Sequence, residues 1–522
     1  MFKLDKVNEF ETAGAGINSK REEYVSRVLH NPEANEHYRF ASTDELLDNL
    51  DELKAMIEHH MMYQVPRLEI LNNYYLGKNS YIYNVNRRFD KEKSDHRISH
   101  NYAKYISQFI QGYLVGDPIK FEHDDDDVAQ EILEINLLNS ADRVHNDLVL
   151  DLSKFGRAYE LVMRNDRDED RFYLSDVMET FVIYSDKIDM EPIGAVRYVR
   201  RTDANGDEWI TPTFYGTEKN VMFARTKVDS IKLLVDKEAQ HSYDGVQIIE
   251  YQNNRFRQGD YENVISLIDA YDSAQSDTAN YMTDLNDALL AIIGRVNMPE
   301  NIARDLKEAN AMLLEPATNM DGKSGAVSVD YKYKKYDVAG TEAYKKRISE
   351  DIHKFSNTPN MNDENFASNV SGVAMKYKLF GLEQARANKE NLFIEGLRKR
   401  YKLIASVKES IKEFEGDLEL NDLRITFTPN FPEATETELK AFIDAGGEIS
   451  QETLLGTLSF LDSVQKELER VEKEKAELND YTDAERMEFE RMRQELANEI
   501  GTSGLTNVAE PMTQPDPVEN DE

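Results

Sequence analysis

The feature that most constrains this chain is a run of 26 residues, Glu262 to Asp287, with neither glycine nor proline. Val264, Ile268, Tyr271, Thr278, Met282 and Leu285 recur along it at helical spacing. Glu262, Asp269, Asp272, Asp277, Asp284 and Asp287 fall on the opposite half of the wheel. At 1.5 Å per residue the run predicts a helix about 39 Å long, with one packing face and one acidic face.

A short α/β module and more helix come next along the chain. Leu289–Val296 reads as a buried strand. Pro299 suits the first turn of a helix in PENIARDLKEANAMLL, and Ala326–Tyr336 reads as a second strand. Tyr344, Ile348, Ile352 and Phe355 predict a helix starting near Thr341. An asparagine-rich break covers Asn357–Ser371, and a very long helix is expected from Gly372 to about Glu413.

Before this core, residues 1–40 read as a mobile arm. Thr43 to Leu76 reads as helical, with Leu46, Leu47, Leu50 and Leu53 as its stripe and Pro66 dividing it. Asn101–Val115 is amphipathic and stopped by Gly116 and Pro118. The acids Asp124–Asp127 precede the repeat Val128, Ile132, Ile135, as the helix dipole favours. From Gly156 to Tyr251 the period changes to two, and Asn205-Gly206 marks a hairpin. After the long helix, Ile425–Phe431 reads as a late strand returning to this sheet. Thr435–Leu478 reads as two or three helices, and residues 501–522 as a disordered acidic tail. The fold class is α+β, and 522 residues imply several sub-domains.

Composition excludes several chemistries. The absence of cysteine removes disulfides, thiolate zinc sites and a cysteine nucleophile. No apolar run approaches the roughly 20 residues of a membrane helix, and the N-terminus lacks a signal-peptide core. The net charge is −36, and residues 433–522 hold 24 acidic against 8 basic residues. That acidity reads either as solubility or as a surface that must not hold nucleic acid. Gly322-Lys323-Ser324 resembles the end of a P-loop, but Ala317 stands where its first glycine belongs. His96 and His100 have metal-ligand spacing without a third ligand nearby, so no metal, cofactor or catalytic residue is expected. Tyr331, Lys332, Tyr333, Lys334 and Lys335 mix basic and aromatic groups; they read as a partner contact or as an ordinary strand with a solvated face.

Five blocks, in order, resemble the phage portal proteins of the SPP1 type. They are His96–Glu122, Val264–Asn280, Phe355–Glu390, Asp422–Pro432 and Gly446–Leu478. The resemblance implies a portal fold: a wing over 41–260, a stem helix over 261–287, a clip over 288–338 and a second stem helix over 339–356. A tunnel loop at 357–371, a long wing helix with its returning strand at 372–432 and a helical crown at 433–500 complete it. It further implies a non-enzymatic ring, a homododecamer, at the capsid vertex of a virion, assembled in the host cytoplasm. Double-stranded DNA would pass through it during genome packaging and ejection. Terminase large subunit, head–tail adaptor, scaffold and major capsid proteins would be its partners. In that frame the stem acids either line the bore or face outward, or pair with Lys345, Lys346 and Arg347. Asn357, Asn360, Asn362, Asn365 and Asn369 would offer DNA an amide surface, with Phe366 as the loop's anchor. The competing readings are an intracellular adaptor with long helices and no channel, and a metal-dependent nuclease built on the aspartate-rich segments.

Overall fold

The computed structural model describes residues 27–83, 94–284, 289–293, 311–314, 328–332, 337–361, 379–411, 422–429, 467–468, 470–471 and 473. The chain divides into two units, Met1–Phe431 and Pro432–Glu522. In the second unit the described residues are helical, and Arg470 reaches Glu467 one turn away at 3.3 Å. Every other described element belongs to the first unit.

Strand β1 (Tyr38–Phe40) pairs in parallel with a strand some 140 residues downstream. The last part of the expected mobile arm is therefore structured: Tyr38 packs on Phe181 and bonds His59 Nδ1 at 2.9 Å. Helices α1 (Thr43–Asp48), α2 (Leu50–His59) and α3 (Val65–Tyr75) fill the stretch expected to be helical. Pro66 does not break the path. A π turn, His60–Gln64, precedes it, and Pro66 stands in the first turn of α3, where its missing N–H is not needed. Helix α4 (Tyr102–Val115) is capped by Asn101, which accepts from Lys104 N. After β2 (Lys120–Glu122), helix α5 (Asp126–Asn139) starts at Asp125 as expected, and α6 (Ala141–Phe155) ends at Gly156.

Nine strands come next: β3 (Arg157–Arg164), β4 (Asp170–Ser175), β5 (Thr180–Ser185), β6 (Pro192–Thr202), β7 (Glu208–Tyr215), β8 (Lys219–Phe223), β9 (Thr226–Lys227), β10 (Val235–Gln240) and β11 (Ile248–Gln252). They make a seven-stranded sheet, β1-β5-β6-β7-β8-β10 with β9 on β7, and a three-stranded sheet, β11-β3-β4. The Asn205-Gly206 signal sits in the β6–β7 hairpin, where Gly206 has φ 85°. Sequence periodicity missed β10, because VDKEAQ is a charged, exposed edge strand without alternation.

Helix α7 (Ile265–Asp284) follows a 3-10 turn at Glu262–Val264. Strands β12 (Leu289–Ile293), β13 (Ala311–Leu314) and β14 (Ser328–Lys332) form a separate sheet, β13-β12-β14, with β12–β13 parallel and β12–β14 antiparallel. The helix expected to run through Leu314 is corrected: its last residues are β13. A parallel partner needs a crossover of a dozen residues or more, and the span between β12 and β13 supplies it. Helices α8 (Val338–Phe355) and α9 (Phe380–Ile411) and strand β15 (Arg424–Thr426) complete the unit. The expectation that the late strand returns to the large sheet is corrected: β15 pairs with β2 instead.

Strand β3 separates two cores by simple alternation. Ala158 and Val162 face α5, α6 and α9, with Phe393, Leu397 and Ile404. Tyr159 and Leu161 face α3, α4, α7 and α8, with Ile106, Ile268 and Ile352. A third core lies between α1–α2 and the large sheet.

Candidate functional site

The site is built on α7. Its apolar face is confined to the N-terminal half: Val264, Ile265 and Ile268 are buried, whereas Met282 is exposed. Leu285 lies outside the described residues.

The acids on the other face have different fates. Glu262 pairs with Arg67 at 2.7 Å, both side chains nearly buried, and accepts from Gly259 N. Asp269 accepts the Tyr74 hydroxyl at 2.8 Å; burial and this carboxylate push the Tyr74 pKa well up. Asp272 is fully buried and accepts from Asn79 Nδ2, His100 N and His100 Nδ1 at 2.9, 2.8 and 3.1 Å. The expectation of one solvent-facing acidic stripe is corrected for these three, because donors of the same chain replace water around them. Asp277 is exposed. Asp284 is the last residue of α7, and Asp287 lies outside the described residues. Lys345 and Lys346 pair instead with Glu342 and Glu350 on their own helix.

Residues 94–100 run along α7 as an extended strap. His100 N donates to Asp272 Oδ1 at 2.8 Å, Ile98 N to Ser276 Oγ at 3.0 Å, and His96 N to Asn280 Oδ1 at 2.6 Å. The strap is thus antiparallel to the helix, and alternate amides meet side chains at i, i+4 and i+8. Two extended residues advance about 6.4–6.8 Å, and four helical residues about 6.0 Å, so three rungs fit without strain. Ser276 and Asn280 are fully buried. His96 Nε2 lies 2.7 Å from Thr283 Oγ1, so both histidines with metal-ligand spacing belong to this strap. Among the described residues no three His, Asp or Glu side chains are grouped to hold a metal, and no helix is long and apolar enough to cross a membrane.

Sequence reading missed the strap. Its one signal was the row Asp272, Ser276, Asn280, three hydrogen-bonding side chains at four-residue spacing on a helix. Replacing Ser276 by Ala and Asn280 by Leu together removes the acceptors of two part-buried amide bonds. Each orphaned amide costs about 1–3 kcal/mol, so the Ile98 and His96 amides should exchange with deuterium roughly 10- to 100-fold faster. Exchange unchanged at those two amides would show that the rungs do not hold the strap.

The asparagine-rich loop is anchored at its root. Asn357 has φ 54°, the left-handed turn asparagine tolerates, and ends α8. Thr358 is buried and its amide donates to His353 O at 3.1 Å; Tyr105 donates to Pro359 O. A cleft of about 230 Å³ beside this root is lined by Asn357, Asp260, Arg386 and Lys389 among others. Asn360 is half-buried, and Asn362, Asn365, Phe366 and Asn369 lie outside the described residues. So do Tyr333, Lys334, Lys335 and Gly322–Ser324; Tyr331 and Lys332 end β14 opposite Leu290 and Leu289.

The chain is 23% identical over 414 residues to the portal protein of Bacillus phage SPP1, covering 76% of this chain and 78% of that one. It is 24% identical over 416 residues to the portal protein of Clostridium phage phiCD119, covering 73% and 86%. A chain in the neck of an empty GTA particle, computed with C6 symmetry, aligns with TM-score 0.39 and 11% identity over 68% of this chain and 89% of its own. The family model described as "Phage portal protein, SPP1 Gp6-like" matches residues 54–481, most of the chain, and the chain belongs to that family of phage portal proteins.

Proposed function

We propose that copies of this chain close into a cyclic ring, a dodecamer, at one vertex of the capsid, and that double-stranded DNA is packaged, retained and ejected through its bore. The observation that supports this reading is the family match, which runs from residue 54 to residue 481. The clip over 288–338 docks the terminase large subunit during packaging and the head–tail adaptor afterwards, with Tyr331, Lys332, Tyr333, Lys334 and Lys335 as contacts. Scaffold and major capsid proteins are the remaining partners during assembly in the host cytoplasm. The role is geometric: ATP hydrolysis belongs to the docked motor, and no residue here is given a catalytic part.

Two features support passage without sticking. Asp277 is exposed on α7, between the strap's rungs at Ser276 and Asn280. Around a ring, Asp277, Asp284 and Asp287 each become a circle of like charge that repels phosphate within the screening length of about 8–10 Å. The loop 357–371 has no Lys or Arg, so its amides make replaceable bonds to phosphate and no ionic grip.

The purified chain should form a large particle with a central hole in negative-stain images; a monomer, or a particle without a hole, overturns the ring. Two further rings test the surfaces, one with Asp277→Lys and Asp284→Lys, the other with Asn362→Lys and Asn365→Lys. Both should assemble, yet DNA packaged into proheads should fall by about an order of magnitude, since each lysine adds a salt-sensitive phosphate contact. Normal packaging by intact mutant rings removes these residues from the mechanism and leaves the ring standing.

A further inference from the structure

Arg157 opens β3 with its side chain completely buried, and none of its three guanidinium nitrogens has a hydrogen-bond partner among the described residues. A buried guanidinium without a partner is costly and does not escape by losing its proton. Burial and the neighbouring Arg257 hold its pKa down to about 10, which leaves it charged at neutral pH.

The nearby carboxylates are already taken. Glu250 pairs with Arg257 at 2.8 Å, and Glu262 pairs with Arg67 at 2.7 Å. His60, which feels Arg157 as its strongest neighbouring charge, is pushed well below its ordinary pKa by burial first and by that charge second, so it is neutral. Three guanidiniums against two carboxylates leave one net positive charge inside the protein. A second buried donor accompanies it: Arg67 Nη1 has no hydrogen-bond partner among the described residues either.

We infer that Arg157 and Arg67 enclose a structural site for one small inorganic monoanion, chloride in ordinary buffers. The charge count sets the ion's valence. Complete burial sets its size and means that it is trapped on folding. The ion would bind the foot of the wing, where β3 meets the helices that carry the strap and the stem.

The test uses the intact chain. Crystals grown in sodium bromide should give an anomalous peak beside the Arg157 guanidinium. Thermal unfolding at fixed ionic strength should rise by roughly 2–4 °C from gluconate to chloride or bromide, as ligand linkage requires. Arg157→Met should abolish that anion-specific rise. The bromide experiment needs no variant, so it decides the matter even if Arg157→Met does not fold. Density without an anomalous peak identifies water, and it overturns the inference, as does equal stability in all three salts.

Discussion

Replacing Arg400 by methionine should cost the protein about 3–5 kcal/mol, the penalty for orphaning one member of a fully buried ion pair. Arg400 stands in the middle of α9 and donates to both oxygens of Glu160 on β3, at 2.8 and 2.6 Å, with both side chains entirely buried. Its third contact is His145 Nε2 on α6, at 2.8 Å. Burial and the guanidinium keep His145 far below its ordinary pKa, so the neutral ring accepts from Arg400. Tyr251 donates to the same carboxylate at 2.8 Å, and the guanidinium lies 4.1 Å over the Phe172 ring. The long helix is therefore joined to both the sheet and α6 at one point. Methionine fills much of the space but leaves Glu160 ionised and buried. Adding Glu160→Gln should return most of the lost stability, because the stranded charge is gone. Calorimetric unfolding of the wild type, the single and the double variant separates the two. A single variant within about 1 kcal/mol of wild type would show that Arg400 only fills space.

Gly156→Ala should be nearly as damaging, at about 2–5 kcal/mol. The residue ends α6 with φ 78°, which costs an L side chain roughly 1–2 kcal/mol. A methyl group there would also lie 2.1 Å from Arg257 O, a backbone atom that cannot rotate aside. Forced displacement of that kind adds about 1–3 kcal/mol. The loop that would move is tied to the helix end by Asp260 N to Ser153 O at 2.9 Å and to β3 by Asn253 N to Gly156 O at 3.0 Å. It also carries Asp260, which pairs with Lys389 of α9, and Arg257, whose carbonyl accepts from Arg67. Gly206 is the control: its φ is 85°, but a methyl group there meets nothing within 4 Å, so Gly206→Ala should cost only about 1–2 kcal/mol. Melting temperatures of the two variants that fall together would refute the close approach at Gly156.

What could be read from the sequence was local. Helix α7, the N-capped α5 and the β6–β7 hairpin each announce themselves within a dozen or so residues, through period, cap or turn chemistry. Strand β13 did not, because a four-residue apolar run at the end of a helical pattern carries no period of its own. Long-range polar contacts were invisible too. Glu160 and Arg400 are 240 residues apart, and nothing near either names its partner. Asp272 shows the deeper reason. A wheel diagram assigns a carboxylate to water, yet N–H groups from a distant segment solvate it equally well. Two of the five blocks that carry the family likeness, His96–Glu122 and Val264–Asn280, contain the two sides of the strap, but nothing within either block announces their contact.

The strap and α7 are two rulers with unequal divisions, and together they act as a vernier. Each added rung would put the marks about 0.4–0.8 Å further out of step, so coincidence holds over three rungs and would be lost over several more. A slip of the strap by one residue would turn the amides of His100, Ile98 and His96 away from their acceptors, because alternate amides of an extended chain point in opposite directions. A slide of the helix by one turn would take Asp272 out of reach of His100. The strapped length of α7 is thus indexed along its own axis. Tilt of helix and strap together about the foot where Arg67 holds Glu262 leaves that index unchanged.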